Sequence, residues 1–218
     1  MNTPPAVIVR HLQNPTESEI DKIVSVLQAA FDGDLLTRFL VGGDTSLLRS
    51  KFEANVRAAV IGGTIYVAAT SSNAEDIIGA SIWFGPGQGS LMTKEQRAAG
   101  WDQFLETAPE ELQQWWLDYF IPLMAQMSDL SLGPGFKLQQ WHLLLFGVTP
   151  EHHQKGYGRA MITTVEKLAK ADGVSIVLET PTDLDVKIYK RLGFNVMGQT
   201  VVTSPLGKTP MYQMMKTP

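Results

Sequence analysis

The residues whose types and spacing best suit chemistry lie in one run: Leu145-Phe146-Gly147-Val148-Thr149-Pro150-Glu151-His152-His153-Gln154-Lys155-Gly156-Tyr157-Gly158-Arg159-Ala160. An apolar stretch runs into a polar loop, then into Gly-x-Gly, then into an amphipathic pattern. The first turn of a helix has unpaired backbone N–H groups and the positive end of the helix dipole. Glycines let the backbone come close to an oxygen. Together they make a cradle for a phosphate or pyrophosphate. The candidate anion contacts are His153, Gln154, Lys155, Gly156, Tyr157, Gly158, Arg159 and Ala160, with Lys155 and Arg159 adding charge. There is no Gly-Lys-Ser/Thr of a P-loop, and the third glycine of a dinucleotide fingerprint would fall on Met161. The plain alternative for a Gly-x-Gly pair is an ordinary strand-to-helix turn.

Two titratable residues stand out next. His142 opens the apolar run Trp141–Val148, and period-two alternation puts it on the side of Leu144 and Phe146 unless a bulge intervenes. Imidazole, with an ordinary pKa near 6.5, suits proton abstraction from an ammonium near neutral pH. A hydrogen-bonded histidine at a strand end is the structural alternative. Glu179 interrupts a strand otherwise made of Val, Ile, Val and Leu. A carboxylate there is costly unless paired or functional. It could bind a substrate ammonium, act as a base through water, or form a structural salt bridge.

Other candidates are weaker. His152 and His153 are neighbours and do not face one way, and no His-x-x-x-His or carboxylate-rich loop points to a metal. Trp101, Trp115 and Trp116, three of the five tryptophans, fall in a helical stretch, residues 93–131. They are core, or an aromatic lid over a substrate pocket, with Trp116 the candidate substrate contact.

These residues need elements to hold them. Val7–Leu12 reads as a strand. Thr16 and Glu19 have capping-box spacing, and Ile20, Ile23, Val24 and Leu27 repeat as in a helix. Asp32-Gly33-Asp34 interrupts it. Helices follow over 35–41 and Thr45–Ile61, with Gly62 and Gly63 as the stop. Thr64–Ala69 and Ile77–Phe84 form a hairpin turning at Ser71–Asn73. After the 93–131 helices, Trp141–Val148 is a buried strand, 156–171 a helix, Val174–Thr180 a strand and Asp183–Leu192 a helix. Phe194–Thr203 and Met211–Lys216 close as an antiparallel pair. No repeat or linker appears, so one α/β domain over 1–218 is the economical reading.

Composition narrows the classes. The chain has 218 residues, 44% apolar and 18% charged, with a net charge of −4 and no cysteine. It can bury a full core. Disulfides, thiolate metal sites and a cysteine nucleophile are excluded. The mild acidity argues against a nucleic-acid backbone binder. No apolar run reaches the ~20 residues of a membrane span or the ~7–15 of a secretory signal. The expectation is a soluble, cytoplasmic protein.

The run Val148, Pro150, Gly156, Gly158 and Ala160 resembles motif A of the GNAT superfamily of acyl-CoA N-acyltransferases. His153 stands where that motif has Arg or Gln, with Gln154 beside it. Tyr189-Lys190-Arg191-Leu192-Gly193-Phe194 resembles the family's Tyr-x-x-x-Gly-Phe block, although Thr182 stands where Asn is common. Ala29-Ala30-Phe31, Gly147-Val148-Thr149-Pro150 and Leu178-Glu179-Thr180 look most like the puromycin N-acetyltransferase type. The resemblance covers most of residues 7–215, with 93–131 as a larger helical insertion.

That resemblance implies a mixed, mostly antiparallel sheet with splayed central parallel strands. It implies acetyl transfer from acetyl-CoA (coenzyme A) to a small-molecule amine in a ternary complex, without a metal. The backbone of Phe146, Gly147 and Val148 would pair with the pantetheine arm and polarise the thioester. Tyr189 would meet the cofactor and protonate the leaving thiolate. His142 stands where some members keep their base. Asp32 and Asp34 fall where relatives contact the acceptor, although a solvated loop explains them too. A peptide acceptor, or a non-catalytic acyl-CoA-binding module, are the other readings. Neither a nucleic acid nor a membrane is expected as partner, and the chain would be a monomer or homodimer.

Overall fold

The computed structural model describes residues 7–70 and 76–218. Seven strands form one sheet in the order β1-β2-β3-β4-β5-β7-β6. They are β1 (Val7–Leu12), β2 (Thr64–Thr70), β3 (Gly79–Phe84), β4 (Trp141–Val148), β5 (Ile176–Thr180), β6 (Asn195–Ser204) and β7 (Gly207–Lys216). Every neighbouring pair is antiparallel except β4 and β5. The mixed α/β class and the parallel central pair therefore agree with expectation. The turn expected at Ser71–Asn73 lies outside the described residues.

Helix α1 (Glu17–Ala30) starts on the expected capping box, with Thr16 and Glu19 satisfying each other's backbone N–H groups. Its apolar stripe, Ile20, Ile23, Val24 and Leu27, packs with Phe52 and Val56 of α3 (Leu48–Gly62) against Ile65, Val67, Ala80 and Ile82 of the sheet. The opposite sheet face carries α8 (Tyr157–Asp172) and α9 (Asp183–Arg191), through Ile162, Val165, Ala169 and Val186. Gly33, with φ +74°, turns the chain between α1 and α2 (Leu35–Leu40).

Residues 94–132 are helical, close to the expected 93–131. They comprise α4 (Lys94–Gln96), α5 (Asp102–Thr107), α6 (Glu110–Gln114) and α7 (Ile121–Leu132), with π-helical turns at Arg97–Trp101 and Trp115–Phe120. Trp101, Phe104, Leu112 and Trp116 bury against Leu40, Val41 and Ala54. The block is tied to β6: Trp115 Nε1 donates to Thr203 O at 2.8 Å, and Thr203 N donates to the Tyr119 hydroxyl at 2.8 Å.

One irregularity decides the geometry of the centre. Leu145 pairs with Ile82, but Leu143 pairs with Trp83, so Leu144 is an extra residue in β4. Such a bulge shifts the side-chain phase. Trp141, Leu143 and Phe146 all pack on the α8 face, whereas Leu145 packs on the α1 face. His142 therefore does not share a face with Phe146, correcting the period-two expectation. β4 and β5 pair only from Trp141–Leu143 to Ile176–Leu178.

Candidate active site

The unpaired end of β4 is the first part of the site. Phe146, Gly147 and Val148 pair with Ser81, Ala80 and Gly79 on one side, and their other edge faces the gap toward β5. Val148 O on that edge already accepts from His153 Nε2 at 2.9 Å, and the backbone groups not so engaged can receive an extended ligand as an added strand. Gly147 keeps α1 close: a Cβ on it would lie 2.6 Å from Ala30 Cβ.

The glycine loop follows directly. Pro150–His152 form a 3-10 turn, Gln154 takes φ +60°, and Gly156 takes φ +90° as the residue before α8. A non-glycine residue in the left-handed region is uncommon and often marks a functional loop. The first bond of α8 runs from Ala160 N to Gly156 O at 3.0 Å, so the N–H groups of Tyr157, Gly158 and Arg159 precede it. A Cβ on Gly156 would meet nothing within 4 Å, whereas one on Gly158 would lie 3.0 Å from Phe146 Cζ. Gly156 is thus required by its φ, and Gly158 by the approach of α8 to β4. The cradle fits an anion: open space, free N–H groups and the positive end of a 16-residue helix.

The loop side chains divide by task. His153 Nε2 donates to Val148 O at 2.9 Å, and Lys155 Nζ donates to Glu151 O at 2.7 Å, so both brace the loop. Tyr157 is buried against Ala68, Ile78 and Met161 and can offer a ligand only its backbone. The Arg159 side chain is exposed and makes no ion pair among the described residues.

Tyr189 reaches this edge from α9. Thr182 caps that helix by accepting from Asp185 N at 3.0 Å, as short polar residues do before a first turn. The Tyr189 ring lies 6.4 Å from that of Phe146 and 5.5 Å from that of Phe194. Gly193, at φ +91°, lets Phe194 N bond back to Tyr189 O at 3.0 Å. Burial, and then the charge of Asp185, push the phenol well above the ordinary tyrosine range. It is therefore a protonated donor throughout the neutral range, and its hydroxyl has no hydrogen-bond partner among the described residues.

On the opposite face of the sheet, Glu179 accepts from Lys137 Nζ at 2.7 Å through Oε1 and meets His142 Nε2 at 2.8 Å through Oε2. Burial alone would raise the Glu179 carboxyl, but Lys137 and His142 outweigh it and hold it well below the usual carboxylate range. Burial, and then the Lys137 charge, lower the His142 imidazole against the pull of Glu179. Both proposed bases thus come together, and they form one unit with a lysine that the sequence pattern did not single out. Nothing in the local run Gly133-Pro134-Gly135-Phe136-Lys137 marks it, because the contact spans 42 positions.

The remaining candidates have other occupations. Asp34 Oδ1 accepts from Thr37 N at 2.6 Å and caps α2, and Asp32 is exposed on the adjoining turn. Trp116 is buried, with its indole Nε1 donating to Leu40 O at 2.9 Å. The structure does not bring these three into contact with the His142–Glu179 unit. Among the described residues no group of three or more His, Asp or Glu could hold a metal, and no helix is long and apolar enough to cross a membrane.

Comparison with known proteins is consistent with this geometry. Residues 101–194 match the model of the acetyltransferase (GNAT) family. Two mouse proteins, N-acetyltransferase family 8 members 3 and 7, are 34% identical over 83 residues, 36% of this chain. The match spans 37% of the length of those relatives. A mosquito arylalkylamine N-acetyltransferase like 5b has the same fold, with TM-score 0.65, 18% identity and coverage of 98% and 100% of the two chains. So does a Corynebacterium glutamicum histone acetyltransferase HPA2 and related acetyltransferase, with TM-score 0.62, 23% identity and coverage of 99% and 97%. A Bacillus subtilis acetyltransferase in complex with CoA superposes with TM-score 0.50 and 10% identity over 98% and 99%.

Proposed function

From a chain whose residues 101–194 carry an acetyltransferase (GNAT) family domain, we propose an acetyl-CoA-dependent N-acetyltransferase acting on a small-molecule amine. The observation that carries this reading is the meeting of three features at one place. The unpaired edge of β4 leads into the Gly156–Gly158 cradle, and the Phe146 ring adjoins both Gly158 and the Tyr189 ring.

Acetyl-CoA supplies an activated thioester. The N–H groups at the start of α8 would hold its pyrophosphate, with Arg159 adding charge. The backbone of Phe146–Val148 would align the pantetheine arm and offer an N–H to the carbonyl oxygen, a contact whose loss typically costs ~10²–10³ in rate. His142 would take the proton from the acceptor ammonium. The nitrogen would then bond the acetyl carbon as the carbon–sulfur bond breaks, Tyr189 would give its proton to the departing thiolate, and the second proton shed by the nitrogen as the amide forms would return the phenol to its protonated state. No covalent enzyme intermediate is needed.

A small acceptor is favoured over a peptide by the helical block at 94–132. Its ties from Trp115 and Tyr119 to β6 hold it against the sheet edge, where an extended peptide would need an open groove. The test is release of free thiol from acetyl-CoA against a panel of aryl and alkyl amines and a lysine peptide. Turnover on one amine class supports the reading. Turnover on the peptide alone replaces the acceptor, and absence of acetyl-CoA binding removes the reading altogether.

A further inference from the structure

We propose that Lys137 is a positioning residue: it clamps the Glu179 carboxylate so that His142 presents an unprotonated ring nitrogen to the acceptor amine. The proposal rests on the N-acyltransferase reading for its kinetic consequence, but its structural core does not.

The placement of Lys137 is built into the fold. It opens a 3-10 turn, Lys137–Gln139, directly before β4. Gln140 fixes that turn: its Nε2 donates to Phe136 O at 3.3 Å, and its Oε1 accepts from Ser175 N at 2.7 Å, just before β5. The lysine is thus held over the parallel pair whose strands carry His142 and Glu179. From below, Gln213 of β7 donates to Leu178 O at 3.0 Å and accepts from Ser128 of α7 at 3.1 Å. That bracket keeps β5, and with it Glu179, in register.

The chemistry follows from which atoms are taken. An ionised carboxylate only accepts hydrogen bonds. Both oxygens of Glu179 are engaged, one by the Lys137 ammonium and one by His142 Nε2. Nε2 must therefore carry the hydrogen, which leaves Nδ1 with its lone pair in the neutral ring. Nδ1 has no partner among the described residues. When His142 acts, the acceptor N–H bond breaks, an Nδ1–H bond forms, and the imidazolium so made stays bonded to Glu179. The carboxylate orients the ring and stabilises the cation without itself gaining the proton, as an acidic residue behind a catalytic histidine does.

Lys137 has two effects in this arrangement. Its bond to Oε1 leaves Oε2 for the ring. After burial, its positive charge is the next largest influence lowering the His142 imidazole. The charged groups acting on His142 are Lys137, from the turn before its own strand, and Glu179 from β5. Gln213 and Ser128 beside them are neutral. Glu179 is in consequence an orienting residue, and not the free carboxylate that would bind a substrate ammonium.

The test is a histidine titration by NMR on the whole protein, wild type against Lys137→Met, with Lys137→Arg as the conservative variant. The chain has four histidines, and His142→Gln identifies the His142 signal. Loss of Lys137 is expected to raise the His142 midpoint by about one pH unit or more, and Lys137→Arg to restore it. The acidic limb of kcat/KM with the best amine should move to higher pH by the same amount. An unmoved His142 midpoint overturns the proposal and needs no substrate to be seen. A moved midpoint with an unmoved acidic limb overturns the positioning role while leaving the acyltransferase reading intact. Failure of that reading shows separately, as absence of acetyl-CoA binding by wild type.

Discussion

His142 and Phe146 lie four residues apart on one strand and face opposite sides of the sheet. The bulge at Leu144 inverts the alternation between them. Phe146 therefore meets α8, Gly158 and Tyr189 on one side, while His142 meets Glu179 and Lys137 on the other. A donor and an acceptor can thus approach the same strand from two faces. His142→Gln should lower kcat by ~10²–10⁴, the usual worth of a general base. Its acetyl-CoA Kd, measured by calorimetry, should stay within about twofold of wild type, because nothing on the α8 face, where the cofactor is proposed to bind, has changed.

Tyr189→Phe separates the phenol from its ring. The ring packs on Phe146 and Phe194 and is kept, while the lost hydroxyl has no protein partner among the described residues. Stability should change by less than about 0.5 kcal/mol, as for a change that removes no buried contact. The kcat should fall by ~10²-fold or more, the usual contribution of a positioned acid. Thermal unfolding and steady-state rates on one preparation check both halves. Unchanged kcat would remove Tyr189 from the proton path.

The two glycines of the cradle should fail for different reasons. Gly158→Val drives a branched side chain into Phe146, whose Cζ lies 3.0 Å from the added Cβ alone. Gly156→Val has open space but must adopt φ +90°, a left-handed cost of ~1–2 kcal/mol for an L-residue. Both should weaken acetyl-CoA binding at least tenfold by calorimetry, with Gly156→Val still folded.

Lys51 gives a pH-dependent prediction away from the site. Its side chain is 4% exposed, and its ammonium lies 4.9 Å from the Phe52 ring centroid. Burial brings its pKa down to about 8, against some support from the charge of Asp34. The folded state thus binds its proton less tightly than the unfolded chain. At pH 7 the charge opposes folding, and the opposition fades as pH rises from about 8 to the ordinary lysine value. Lys51→Met should stabilise the protein at pH 7 by roughly 1–3 kcal/mol, the worth of so weakened a proton affinity after discounting for local relaxation. The gain should shrink by pH 10. Chemical denaturation at both pH values measures it, and a gain that does not shrink contradicts the assignment.

Much of this was legible in the sequence, for physical reasons that can be named. The Thr16–Glu19 capping box, the stripe of α1 and the Gly-x-Gly at the start of α8 are local patterns, and local patterns fix local structure. The pairing of Tyr189 with its Gly193-Phe194 turn is equally local. The face of His142 was not legible, because a bulge depends on what the neighbouring strand requires: here β3 pairs Trp83 with Leu143 and Ile82 with Leu145. Lys137 was not legible either, since its partner comes from another strand. Asp34 showed as a charge in a loop, and only the folded chain shows it holding Thr37 N. Trp116 fitted both a lid and a core by composition, and the structure seats it among Trp101, Phe104 and Leu112.

The gap between β4 and β5, with its glycine cradle, is expected to receive an acyl-CoA. Calorimetric titration of the whole protein with acetyl-CoA tests it most directly, with Gly158→Val as the paired sample. One site of micromolar affinity, corresponding to about −8 kcal/mol, is expected, lost or weakened at least tenfold in Gly158→Val. The absence of binding by wild type, or binding unaffected by Gly158→Val in a folded protein, would contradict it.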